Sequence, residues 1–268
     1  NLNIHCISLQ RKRHQRFLKI KPYYMNITAG HIKLIEDITI DGTNKILIDK
    51  LKKSMKIKFD NMASYNNMAL FLKSILIWEK FILGNKDKII IIEDDVIPVE
   101  NFYNKFNSMI KELPEDFDIC VMTGVVFGRP KSYSNLLYGK TSFSCIGAYL
   151  LSKKGAKKLI EIAKNNVIKT HNSGGVLDYW ICYNNSKLDF YKTKEDLFIL
   201  LNIPSSLAIS RCKLLENYFP ELDNFLKNNY IITMMLNRFG INGKITISWY
   251  LYFNIFLNYV LFLLFGMF

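Results

Sequence analysis

The chain has 268 residues, half of them hydrophobic and 22% charged, which excludes a disordered or low-complexity protein. A chain of this length can fold around its own core without disulfides or a structural metal. Its formal net charge of +13 comes from 36 Lys plus Arg against 23 Asp plus Glu. Only six of those cations are arginines, so the excess reads as a lysine-rich composition rather than a surface of guanidinium forks built for phosphates. No basic recognition helix or aromatic ladder supports nucleic-acid binding. The five cysteines (Cys6, Cys120, Cys145, Cys182 and Cys212) form no C-x-x-C pair. That spacing excludes the common zinc cages and reads as buried free thiols in a reducing compartment.

In chain order, Asn3 to Leu9 is an apolar run that reads as a buried strand, and the basic cluster Arg11, Lys12, Arg13, His14 and Arg16 follows it. From Ser64 to Leu83 apolar residues recur at helical spacing, and Gly84-Asn85 stops them. Ile89 to Ile92 are four β-branched residues without alternation, the pattern of a strand covered on both faces. That strand runs into Glu93, Asp94 and Asp95, and Pro98 bars its simple continuation. A helix is predicted over about Val99 to Lys111 and a strand over Phe117 to Met122. Thr123 to Thr141 reads as a long loop, Ser142 to Leu151 as one strand, and Lys153 to Asn165 as a basic amphipathic helix. A helix start is expected at Val176, with late strands near Leu188 to Tyr191 and Leu197 to Leu201. Strands alternating with helices predict an α/β fold with a mostly parallel central sheet.

The C-terminus has a different composition. Residues 245 to 268 carry no charge, and a helix rising ~1.5 Å per residue over that length could cross a bilayer core of ~30 Å. Trp249, Tyr250 and Tyr252 stand near its start, behind Arg238 and Lys244, as an interfacial belt and a cytoplasmic flank would. Asn254 and Asn258 fit a buried core helix better, so anchor and core helix both stand as readings.

Three consecutive carboxylates at the end of a buried strand are the sharpest feature. The carboxyl ends of strands are where open α/β sheets place ligands. Glu93, Asp94 and Asp95 repel one another, and a hard divalent cation relieves that repulsion through one or two carboxylates, water and substrate phosphates. In an extended chain Glu93 and Asp95 would share one side as metal ligands, leaving Asp94 to accept from a ribose hydroxyl or a backbone N–H. The alternative is a solvated acidic turn at a helix start. Arg13 and Arg16 could contact the phosphates or form a solvated basic turn. Asp178 is either a general base, with Tyr179 and Trp180 as sugar-stacking rings, or a helix N-cap. His171 is either a third metal ligand or a surface residue.

The segment Ile89 to Pro98, with Phe102 after it, resembles the acidic motif of glycosyltransferase family 25, the lipopolysaccharide-biosynthesis family to which the collagen galactosyltransferases are related. Cys6 to Leu9 with Arg13 and Arg16 is similar to that family's opening strand and arginine-rich turn, and Leu72 to Lys80 to its preceding helix. Leu113-Pro114 with Phe117-Asp118, Gly147 to Ala156, and Asp178-Tyr179-Trp180 match later pieces in the same order. The resemblance spans about residues 3 to 207. It departs at Asn66-Asn67, Lys73-Ser74 and Gly147, where the family shows Gly-Glu, Ser-His and His.

The resemblance implies a GT-A-like nucleotide-sugar-binding fold over residues 1 to 207; beyond it, residues 208 to 244 read as a helical C-terminal extension and 245 to 268 as the apolar tail. It also implies Mn2+ or Mg2+ at the acidic motif and a UDP-sugar donor. The reaction would be hexose transfer, of galactose above all, to a hydroxyl of a glycan, lipid-linked or protein acceptor. With the tail as anchor, the enzyme would work at the cytoplasmic face of a membrane; without it, in the cytoplasm. The departures leave a second reading, a catalytically silent nucleotide-sugar-fold protein acting as a membrane-attached binding partner. A two-metal phosphatase or nuclease would need more carboxylates than can be placed near Asp95.

Overall fold

In the computed structural model the four isoleucines lie in an interior strand of a seven-stranded sheet, buried from both sides. The structure describes residues 2–7, 18, 20–24, 32–36, 40, 42–61, 63–127, 130–144, 146–169 and 176–200, with β1 and β2 described in backbone only. The chain divides into two compact units. All described residues belong to the first (1–171 and 175–201), and the second (172–174 and 202–268) lies outside them.

The strands are β1 (Leu2–Ile7), β2 (Ile32–Glu36), β3 (Lys58–Phe59), β4 (Lys88–Glu93), β5 (Val96–Pro98), β6 (Ile119–Val121), β7 (Val125–Phe127), β8 (Leu137–Tyr138), β9 (Ser142–Ser144), β10 (Ala148–Ser152), β11 (Val167–Ile168), β12 (Phe190–Thr193) and β13 (Phe198–Leu200). The helices are α1 (Lys45–Met55), α2 (Tyr65–Leu83), α3 (Phe102–Glu112), α4 (Lys153–Asn165) and α5 (Val176–Tyr183). The central sheet has the order β2-β1-β4-β10-β6-β12-β8.

The sheet is mixed rather than mostly parallel. β1 pairs parallel with β2 and β4, and β12 parallel with β6. β10 runs antiparallel between β4 and β6, and β8 antiparallel beside β12. The sequence pattern missed this because a strand buried on both faces reads as an unbroken apolar run whichever way it runs. The expected single strand from Ser142 to Leu151 is two: β9 leaves to pair with β7, and β10 enters the sheet. The loop expected over Thr123 to Thr141 therefore contains β7 and β8.

Both faces are covered. On one, Ile90 and Ile92 join Cys120, Met122, Ala148 and Leu150 in a core closed by Phe102, Phe106 and Met109 of α3 and by Phe198. On the other lies α2, started by the Ser64 hydroxyl accepting from the Asn67 N–H and closed where the Gly84 N–H donates to Lys80 and Phe81. α2 is buried along most of its circumference, as a helix flanked by a sheet and other helices must be. α4 begins at Ser152, whose hydroxyl accepts from the Gly155 N–H at 3.0 Å. A Cβ at Gly155 would stand 2.1 Å from the Asp118 carbonyl oxygen, so the close approach of α4 to β6 requires glycine there.

Among the described residues no helix is long and apolar enough to cross a membrane; the apolar tail lies outside them.

Candidate active site

β4 carries the acidic run to one end of the sheet. Its last residue, Glu93, donates its backbone N–H to the Gly147 carbonyl at 2.7 Å, at the mouth of β10. The chain then turns at Asp94 and Asp95 before β5 begins. The expected extended Glu93-x-Asp95 spacing is therefore replaced by a turn. Burial still sorts the three carboxylates: Glu93 and Asp95 are half-buried, whereas Asp94 is 1% exposed and engaged within the protein. A ribose contact by Asp94 would need a carboxylate that opens to the surface. The turn is clamped by the Tyr24 hydroxyl, which donates to the Val96 carbonyl at 2.8 Å, and by β13 pairing antiparallel with β5.

Asp178 belongs to α5. It lies in the first turn of that helix, inside it rather than at the cap, where the helix dipole favours a carboxylate. Tyr149 lies beside the end of β4. Its Cα pairs with Ile91 across β10 and β4, so it shares a face with Glu93, a diagonal neighbour within side-chain reach. The buried Tyr149 hydroxyl accepts a hydrogen bond from Trp78 Nε1 at 3.1 Å. Burial raises its pKa, the Trp78 bond lowers it, and the carboxylates of Glu93 and Asp178 raise it further. Burial thus keeps Tyr149 a neutral phenol.

Trp180 is not a sugar platform. It is 4% exposed, edge-on to Phe71 at 4.9 Å and stacked with Trp78 at 6.4 Å, because the inward face of α5 must cover α2. Tyr179 is half-buried and stacks with Tyr183 at 6.2 Å. Arg13, Arg16 and His171 lie outside the described residues. Sequence reasoning missed the Trp78–Tyr149 bond, although a tyrosine in an otherwise apolar buried strand signals that its hydroxyl needs a partner.

Among the described residues no three His, Cys, Asp or Glu side chains converge into a metal cage. The donor set of Glu93 and Asp95 is two hard oxygen ligands. It fits a Mg2+- or Mn2+-type ion that takes one or two carboxylates and completes its shell with water and phosphate oxygens. Cys120 is a free thiol whose pKa burial pushes up to about 12, and Cys182 is also free. The Cys120 thiol is therefore a packing residue rather than a nucleophile.

No family model and no curated protein matches the sequence. Solved structures show a distant likeness. A glycosyltransferase involved in glycosylating the major capsid of PBCV-1 is 10% identical with a TM-score of 0.41, over 78% of this chain and 96% of that one. A mutant Drosophila β-1,4-galactosyltransferase 7, in complex with manganese, UDP-Gal and xylobiose, is 11% identical with a TM-score of 0.38, over 74% and 70%. An inositol-1-phosphate CTP transferase from T. maritima is 7% identical with a TM-score of 0.32, over 73% and 90%. Likenesses of this strength assign no activity to the chain.

Proposed function

We propose that this protein is a metal-dependent glycosyltransferase that moves a hexose from a UDP-sugar to an acceptor hydroxyl. The observation that supports the reading is the acidic run at one end of the sheet: Glu93 and Asp95 half-buried where the buried strand β4 stops. The glycosyltransferase family 25 resemblance of the same segments supports it.

Glycosyl transfer has two electrostatic tasks: stabilising a departing nucleoside diphosphate and removing a proton from the acceptor hydroxyl. Glu93 and Asp95 would hold a divalent cation, which supplies Lewis-acid stabilisation of the phosphates when bound. Arg13 and Arg16 would add charge-assisted bonds to the same oxygens. Asp178 would take the acceptor proton on its carboxylate. Its place in the first turn of α5 favours the anion and so keeps the base ready. Asp94, turned inward, would hold the turn that displays its neighbours. The tail at 245 to 268 would attach the enzyme to the cytoplasmic face of a membrane, where nucleotide sugars are available.

The test is thermal shift with UDP-galactose, UDP-glucose and GDP-mannose, each with and without Mn2+. A ligand at about 100 times its Kd stabilises the native state by ~2.7 kcal/mol. A shift with a UDP-sugar that requires Mn2+ is expected. No shift with any nucleotide sugar in the presence of Mn2+ would overturn the reading. Binding without donor hydrolysis or transfer would favour the silent binding partner.

A further inference from the structure

An orphaned amide stands in the first turn of α2. Asn67 is 7% exposed, and its Oδ1 is buried without a hydrogen bond from any described residue. Its backbone N–H is used, donating to the Ser64 hydroxyl at 3.3 Å, so it is the side chain that is unspent. A buried acceptor left unpaired is costly, and native cores rarely keep one without a use. The turn that carries it is firmly held. A Cβ on Gly42 would stand 1.9 Å from Asn66 Oδ1, so Gly42 packs directly against the turn. The Tyr65 hydroxyl donates to Asp49 of α1 at 3.1 Å, and Lys45 Nζ lies 5.4 Å over the Tyr65 ring.

Two contacts place this turn at the end of the sheet where β4 stops. β2 runs parallel to β1, and β1 to β4, so the chain leaves β2 at that end, and Gly42 follows six residues later. Further along α2, Trp78 bonds Tyr149, which is level with Ile91 of β4. Only Gly84 to Asp87 link α2 to β4, so the helix runs back against the strand. Asn67 lies ~16 Å before Trp78 along the helix and within about 20° of the same side. Asp95 lies ~13 Å or less beyond Ile91 along the chain. Asn67 is therefore on the side of α2 turned to the sheet, level with the acidic turn.

We propose that Asn67 is a specificity-determining contact of the donor site, taking a hydroxyl of the bound nucleotide sugar on its side-chain amide. The inference rests on the glycosyltransferase reading for its ligand and adds a residue which that reading does not use. The chemistry commits to a hydroxyl. A phosphate oxygen brings no proton to Oδ1, and an apolar group would leave it as costly as before. A hydroxyl both donates and accepts, so it suits an amide whichever way its two ends are turned. No acidic side chain stands in the first turn of α2, so the turn that offers the amide does not repel a nucleotide's phosphates. Asn67 is also a position where the chain departs from glycosyltransferase family 25, which shows Glu there, so the contact belongs to this chain.

Calorimetry on the full chain with Mn2+ tests this, using UDP and UDP-galactose on wild type, Asn67→Ala and Asn67→Leu. Leu has the branched shape of Asn without its polar ends, and so keeps the test alive if Ala leaves a hole. Both variants should bind UDP-galactose about five-fold more weakly, the loss of ~1 kcal/mol for one hydrogen bond. Their melting temperature without ligand should hold or rise, because an unpaired buried acceptor is gone. An equal loss with UDP places the hydroxyl on the ribose, and a loss with UDP-galactose alone places it on the hexose. Unchanged UDP-galactose affinity in both variants overturns the proposal. Weaker binding with melting several degrees lower in both makes Asn67 a structural support and overturns it too. A wild type that binds neither nucleotide removes the transferase reading and this contact with it, whereas nucleotide binding indifferent to Asn67 removes the contact alone.

Discussion

The two ends of the central sheet treat their carboxylates in opposite ways. At the end where β6 and β12 begin, Asp118 is fully buried and matched by lysines. Its Oδ2 accepts from Lys158 Nζ at 2.5 Å and from the Asp189 N–H at 2.9 Å, and Lys154 Nζ lies 3.4 Å from its Oδ1. Asp189 in turn pairs with Lys154 at 2.9 Å and Lys158 at 3.3 Å. At the end where β4 stops, three carboxylates follow one another along the chain, and the buried Tyr149 is a diagonal neighbour of the first of them. The first arrangement is a clasp joining α4 to the starts of two strands. The second concentrates negative charge at a turn, an expensive design for stability alone and a useful one for holding a cation. Acidic residues at a strand end mean little until their partners are known.

Replacing acids at each end should sharpen that contrast. The largest effect is expected for the pair Glu93→Ala with Asp95→Ala, which should abolish the Mn2+-dependent part of nucleotide-sugar binding in calorimetry. The melting temperature should hold or rise, since like charges are removed. A fall of several degrees with metal dependence retained would make this end a clasp too. Next, Asp178→Asn should keep donor affinity and lower turnover by roughly 10²-fold if the carboxylate is the base. An unchanged rate in a steady-state assay would return Asp178 to a structural role.

Asp118→Asn should behave in the opposite sense. Losing the buried anion under two half-exposed lysines should cost about 2–3 kcal/mol in urea unfolding, with Mn2+-dependent binding unaffected. A stability change below about 0.5 kcal/mol would mean that the clasp contributes little beyond its packing.

The smallest effect concerns pH. The hydrogen bond from Lys154 holds the Asp189 carboxyl below its ordinary value of 3.8, helped by Lys158 and opposed by partial burial. A lowered folded-state pKa means that the unfolded chain binds the proton more readily. The stabilisation is therefore fully present above about pH 4 and is lost as pH falls through the lower folded value. Wild type should lose stability as pH falls below about 4 more steeply than Asp189→Asn in matched denaturation curves; equal slopes would remove Asp189 from the clasp's energetics.

Much of the scaffold was legible from local signals. α4 occupies the predicted Lys153–Asn165, and α2 fills the span from its Ser64 cap to the Gly84 stop, because capping chemistry and helical periodicity act within a few residues. β4 was marked by its isoleucines and its acidic end by the run of carboxylates. The turn at Asp94-Asp95 stood only as the alternative to an extended run, since the groups that clamp it are remote: Tyr24 lies 72 positions before the Val96 carbonyl it holds, and β13 about 100 positions beyond β5.

The sequence by itself therefore determined that a doubly covered strand would end in Glu93, Asp94 and Asp95, and that helices would flank it. Only the tertiary structure decided that β10 runs antiparallel between β4 and β6. Direction is set by which neighbours close the hydrogen-bond ladder, and apolar residues read the same both ways. Tertiary packing also decided which rings face water. Trp180 went inward because Phe71 and Trp78 of a remote helix needed covering, and Tyr183 was left outside, one helical turn beyond the aromatic-acidic motif. Burial depends on partners that come together only in the folded chain, and that is why the orientation of these rings could not be read from the sequence.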